Sequence, residues 1–222
     1  MKNNKIIEYL KKAEGNKLHK NATESDVTSH LGIYKKHHKD ADFWRIYSQI
    51  EQELGVSMYT REGRKEINEY IKSNNYIEEE LHNSIYMYYI KNFSDQRVIE
   101  RLSEKTQMTY FSLCVNAGNR RANKILQASV NSVFEEFQVP SKIGVDGIVG
   151  RGTLQGIEEA LEYGGDDMFN DFLLINMGKF YNYLITKNVT KYGIYKKGWF
   201  NRLVGLEPTD EGIIKIREAM RL

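Results

Sequence analysis

Residues 122–154 read ANKILQASVNSVFEEFQVPSKIGVDGIVGRGTL. Ala122, Ile125, Leu126, Ser129, Val133 and Phe137 recur at helical spacing, so the first half predicts a regular amphipathic helix. Pro140 to Gly150 is a Gly-rich connector with little helix signal, and it is the one plausible internal seam of the chain. Leu154, Ile157 and Leu161 then resume the helical period until Gly164-Gly165. Gly147-Ile-Val-Gly-Arg-Gly152-Thr153 has the outline of a phosphate loop. It lacks the Lys before Thr153, and no apolar strand leads into it. A tight turn feeding a helix, with glycine supplying positive φ, is the better reading.

The same rhythm extends both ways. Towards the C-terminus, Asp166 or Asp167 caps the longest helix, through Phe169, Phe172, Leu173, Phe180 and Leu184. Residues 186–197 read as a loop, and short helices follow at Trp199–Leu203 and 210–221. Towards the N-terminus, the apolar stretch Tyr110–Val115 halts at Asn116-Ala117-Gly118, and Ser94 or Asp95 caps a segment through Val98 and Leu102. Ile77, Leu81, Ile85 and Tyr88 mark a long helix. Thr60 caps another, with Ile67, Tyr70 and Ile71 inside. Phe43 to Leu54 forms one closed by Gly55. Residues 16–33 show no period and read as a loop or small irregular sheet. Residues 3–13 form an amphipathic helix with Ile6, Leu10 and Ala13 on one face. With no βαβ alternation, the fold class is mainly α.

Composition bounds the function. The chain has 222 residues, one cysteine and a formal charge of +2. Cys114 has no partner within the chain, so a disulfide-stapled fold is excluded. The longest strictly apolar run, Ile85–Ile90, is far shorter than the roughly 20 residues of a membrane span, and no stable membrane insertion is expected. The first residues carry lysines but no apolar core, unlike a signal peptide. No concentrated basic stripe favours a nucleic-acid partner, although a helical nucleic-acid-binding protein is one alternative. His19, His30, His37 and His38 do not follow a metal-ligand spacing. They read as solvated surface groups, so no metal or other cofactor is expected.

Glu14 stands where the first helix meets a polar loop. The negative end of the helix dipole and partial burial would both raise its pKa, as a general acid requires. A loop folding back over Glu14 could set Asp26 or Thr28 opposite it, and glycoside hydrolysis needs such a second group.

In order, these pieces resemble glycoside hydrolase family 108, the muramidases of bacteriophage endolysins and related bacterial enzymes, with their C-terminal helical peptidoglycan-binding region. Glu14-Gly15-Asn16-Lys17 stands where the family has Glu-Gly-Gly-Tyr. Ser29-His30-Leu31-Gly32-Ile33-Tyr34 stands where it has Thr-Asn-Tyr-Gly-Ile-Thr. Glu79-Glu80-Leu81 with Tyr86, Tyr89 and Phe93 is similar to its acidic helix. Cys114–Gly118 with Ala122, Leu126 and Gln127 matches its Asn-Ser-Gly and Ala-x-x-Leu-Gln segments. Val145–Gly150 with Thr153-Leu154 matches Val-Asp-Gly-Ile-x-Gly…Thr-Leu, and Gly198-Trp199-Phe200-Asn201-Arg202 matches Gly-Trp-x-Asn-Arg. The similarity covers about residues 3–204.

The resemblance implies a lysozyme-like, two-lobed fold: a catalytic region over 1–105 and a helical peptidoglycan-binding region over 106–222, packed as one unit. It implies a monomeric N-acetylmuramidase acting on peptidoglycan, with Glu14 as acid. Asp26 is the candidate second carboxylate and Glu24 the alternative, and the family's loop Thr corresponds to Thr28 or Ser29. Ser29, His30, Asn116 and Trp199 are the candidate substrate-binding residues. It further implies synthesis in a bacterial cytoplasm and release to the wall through a holin-type pore. A chromosomal muramidase that opens the wall for a secreted cargo is equally consistent. A wall-binding protein that kept the fold and lost the chemistry is the other alternative.

Overall fold

The computed structural model describes residues 4–20 and 26–221. Helix dominates, as expected, and the chain divides into two compact units, residues 1–92 and 93–222.

The first unit opens with α1 (Asn4–Glu14). Ile6, Ile7 and Leu10 are buried, whereas Ala13 is exposed, against the sequence reading. The buried stripe runs instead through Ile7 and Leu10 to Glu14, three and seven residues after Ile7, so the carboxylate lies on the core-facing side. Gly15 ends the helix at φ +88° with its N–H on the Lys11 carbonyl. The expected irregular sheet is a two-stranded antiparallel ladder of β1 (His19–Lys20) and β2 (Val27–Thr28), with His19 opposite Thr28. Two 3-10 turns, His30–Gly32 and Lys35–His37, lead to α2 (Trp44–Leu54), closed by left-handed Gly55 as expected. The Thr60 hydroxyl caps α3 (Arg61–Ser73), and α4 (Asn75–Phe93) follows.

The second unit begins with α5 (Gln96–Ile99), capped by Asp95, then α6 (Glu104–Ala117) and α7 (Asn119–Glu136), which meet at Gly118. After the Pro140–Gly150 connector comes α8 (Arg151–Lys187). Its break falls at Gly165 alone, whose φ of +69° and ψ of +176° leave the helix for one residue. Asp166 and Asp167, expected as caps, are instead engaged by α6: Asp166 accepts from the Thr106 hydroxyl at 2.6 Å, and Asp167 pairs with Lys105 at 2.6 Å.

Residues 186–197, read as a loop, are mostly helical. α9 (Val189–Tyr192) is capped by Asn188, a 3-10 turn spans Gly193–Tyr195, and α10 (Lys196–Val204) continues from it. These turns bury no residue of their own and are held by the Asn188 cap. No apolar period therefore marked them in the sequence. Thr209 caps α11 (Asp210–Met220). α7, the second half of α8 and α11 enclose a core that includes Leu126, Val133, Phe169, Leu173 and Ile216. No described helix is long and apolar enough to cross a membrane.

Candidate functional site

The Ser29–Ile33 segment folds back onto the end of α1. The Leu31 N–H donates to the Gly15 carbonyl at 2.9 Å, and the Tyr89 hydroxyl donates to the Leu31 carbonyl at 2.7 Å. Leu31 (φ +59°) and Gly32 (φ +88°) both sit in the left-handed region. Gly32 must be glycine for space as well as angle: a Cβ there would lie 2.7 Å from the Glu14 Cβ and 3.1 Å from its Oε2. The half-buried Glu14 carboxylate is thus packed against backbone. Burial and the nearby Glu14 charge push the Tyr89 phenol upward, which keeps it a donor.

Beneath the loop runs a buried polar chain. The Tyr47 hydroxyl accepts the His30 backbone N–H at 2.9 Å and lies 2.7 Å from His30 Nδ1. Burial, with His82 nearby, brings the His30 pKa down to about 3. The His82 ring lies 6.2 Å from the His30 ring. His82 Nε2 is 2.6 Å from Asn16 Oδ1, and Asn16 Nδ2 donates to Glu78 at 3.0 Å. Burial and then Lys11 bring His82 down to about 4. Both rings are neutral near pH 7.

His30 and His82 are therefore core groups, not surface ones, because hydroxyl and amide partners satisfy them. The other histidines do not join them: His19 and His37 are exposed, and His38 bonds the Tyr88 hydroxyl at 2.8 Å. Among the described residues no three His, Cys, Asp or Glu side chains converge as a metal site would require.

The predicted site residues fall into two groups. Glu14, Thr28, Ser29 and His30 belong to α1, β2 and the loop laid on them. Thr28 is buried and bridges to Tyr34. Ser29 is fully buried; its hydroxyl donates to the His30 carbonyl at 2.6 Å and accepts the Ile33 N–H at 3.1 Å. Ser29 thus spends its hydroxyl on the loop, and His30 bonds Tyr47 of α2. Asp26 is half-buried, and one oxygen accepts the N–H of Val27 at 2.8 Å. Glu24 lies outside the described residues.

Asn116 and Trp199 lie in the second unit. Asn116 is exposed at the end of α6 and accepts from Arg202 of α10. Trp199, on the same short helix, is half-buried and stacks on Tyr181 at 4.4 Å and on Tyr195 at 5.7 Å.

Sequence reasoning missed Tyr89, Tyr47, His82 and Asn16. The available signal was His82, Ile85 and Tyr89 at i, i+3, i+7, which puts two polar side chains on the buried stripe of α4. A groove of about 660 Å³ between His37–Phe43 and the outer side of α4 is lined by His38, Asp42, Tyr88 and Lys91 among others, and Glu14 does not line it.

In the second unit, the Val145–Gly150 turn is organised by one amide. Buried Gln127 accepts the Gly147 N–H at 2.8 Å and donates to Asp146 at 2.9 Å and to the Ile148 carbonyl at 3.1 Å. Gly147 (φ +84°) is packed so closely that a Cβ would meet the Arg120 carbonyl oxygen at 2.6 Å. The turn feeds directly into α8 with Gly147 at positive φ, as the reading of a tight turn expects. This is a structural node.

Among protein families, one described as Predicted Peptidoglycan domain matches residues 121–204, which include this node, α8 and α10. No curated protein and no solved structure matches the chain. The family match ties the second unit to cell-wall peptidoglycan.

Proposed function

We propose that the chain is a peptidoglycan hydrolase of the N-acetylmuramidase type, cleaving the β-1,4 bond between N-acetylmuramic acid and N-acetylglucosamine. The observation that carries this reading is the seat of Glu14. It is a carboxylate on the buried stripe of α1, packed against Gly32 and faced by Tyr89, in a chain whose other unit matches a peptidoglycan domain. Glu14 gives its proton to the glycosidic oxygen as the C–O bond breaks. Asp26, with the Thr28 hydroxyl, positions water or stabilises the oxocarbenium-like transition state, and water supplies the hydroxyl to the new reducing end. Ser29 and His30 hold the loop, while Asn116 and Trp199 serve wall binding in the second unit. The setting is that of an endolysin: a monomer made in a bacterial cytoplasm that reaches the wall through a holin-type pore and needs no cofactor.

A second reading, wall binding without cleavage, is favoured by one feature. Asn16, standing in place of a family glycine, is tied to Glu78 and His82.

The test is reducing-end release from purified peptidoglycan, alongside sedimentation with the wall, for the wild type and Glu14→Gln. Release by the wild type should fall about 10²–10⁴-fold in the variant, with sedimentation unchanged. Equal release by both would move the acid elsewhere. Sedimentation without release by either would establish the binding reading.

A further inference from the structure

The charge of the chain is unevenly placed. From Phe172 to Leu206 there is no Asp or Glu, and there are six Lys and Arg; elsewhere 26 basic residues face 30 acidic ones. This is an acid-free stretch rather than a dense basic run, so its sign is uniform at ordinary lysine density. Within it the chain exposes large apolar side chains: Val189 is 65% exposed, Ile194 77% and Tyr195 50%. Lys191 lies over the Tyr192 ring at 5.1 Å, and Lys187 over the exposed Tyr183 at 6.0 Å, which keeps ammonium groups beside apolar ones. The Trp199 stack on Tyr181 anchors this segment to α8.

We propose that residues 187–197 form a peripheral membrane-binding surface. Its lysines take the anionic phosphate headgroups of a bilayer, and Val189, Ile194 and Tyr195 enter the interfacial layer. The lysines of this acid-free stretch supply the complementarity, and the apolar tips supply the second signal that reversible anchoring requires. A sugar chain or nucleic acid fits less well. The branched aliphatic tips of Val189 and Ile194 offer neither a flat face nor a hydrogen bond. The inference does not rest on the hydrolase reading.

The test is co-sedimentation of the full chain with vesicles of phosphatidylglycerol and phosphatidylethanolamine, or of phosphatidylcholine alone. Two exposed-site variants are compared, Val189→Ser/Ile194→Ser and Lys191→Gln/Lys197→Gln, each checked for an unchanged circular dichroism spectrum. The wild type should sediment with the anionic vesicles at low salt and not with phosphatidylcholine. Partitioning should fall about tenfold in either variant, and similarly in molar salt. The proposal is overturned if the wild type does not sediment with anionic vesicles, or if both variants sediment as it does. Retention on DNA without vesicle binding would also overturn it and assign the surface to nucleic acid.

Discussion

In the first unit the surroundings of Glu14 are held by backbone in the left-handed region at Leu31 and Gly32 and by two histidines kept neutral. In the second, the equally tight turn at Val145–Gly150 is held by Gln127, a side chain with no charge to lose. Both solve one problem: a loop folded against a helix must satisfy its buried N–H and C=O groups. The solutions differ in what disturbs them. All five histidines of the chain lie at or before residue 82, so buried histidine makes the first unit sensitive to acid in a way the second is not.

The largest expected effect exploits that asymmetry. The pKa values of His30 and His82 are lowered from 6.5 to about 3 and about 4, so below pH 6.5 the unfolded chain binds more protons than the folded one. Their contribution is complete above pH 6.5 and is lost as pH falls towards those values. The expected loss between pH 7 and 4 is about 3–5 kcal/mol. Hydrogen exchange resolved by segment should show α1, the Ser29–Ile33 loop and α4 loosening first. If α7 and α8 loosen equally, the asymmetry between the units is not one of histidine titration.

Gly147→Ala is the corresponding break in the second unit. It combines a left-handed φ with a Cβ 2.6 Å from a backbone oxygen, and should cost about 2–4 kcal/mol in denaturant unfolding. Gln127→Leu, which leaves the buried Gly147 N–H without its acceptor, should cost about 1–3 kcal/mol.

Gly32→Ala sharpens the comparison from the other side. Its Cβ would lie 2.7 Å from the Glu14 Cβ, an atom fixed to the α1 backbone, at a left-handed φ, so stability should fall by about 2–4 kcal/mol. If Glu14 is the acid, reducing-end release should fall out of proportion, by about 10²-fold, because a small misplacement of the acid is enough. A loss of activity no larger than the loss of folded protein would separate Gly32 from the chemistry. The smallest effect is expected at Cys114. Burial pushes its thiol up to about 12, so a thiol reagent should label it only as fast as the second unit opens.

The helices and several of their ends were legible because they depend on neighbours three or four residues away. The Thr60 and Asp95 caps and the Gly55 and Gly118 stops stand where the sequence puts them. The Val145–Gly150 turn was legible as a turn, but its dependence on Gln127 was not. Nothing in the spacing says which amide faces it.

Reading α1 through Ile6, Leu10 and Ala13 chose a stripe that misses Glu14. Ile6 and Leu10 of that reading are buried, but Ala13 is exposed and Ile7 is buried as well, so the buried face is turned towards Ile7 and Glu14. The helical turns over 189–195 were illegible for the opposite reason: they bury nothing, so no hydrophobic period records them.

What the sequence determined by itself is the mainly α class, most helix positions up to Lys187, the turn at Gly147 and the choice of Glu14 as the residue to examine. All are consequences of local spacing and of glycine's access to positive φ. Only the tertiary structure decided that Gly32 presses on Glu14, that Tyr89 holds Leu31, that His30 and His82 are buried and neutral, and that Val189 and Ile194 face solvent. Those facts join residues from separate elements. The free energy that brings them together comes from burying helix faces, which fixes where each element lies and leaves no periodic mark on the residues it causes to meet.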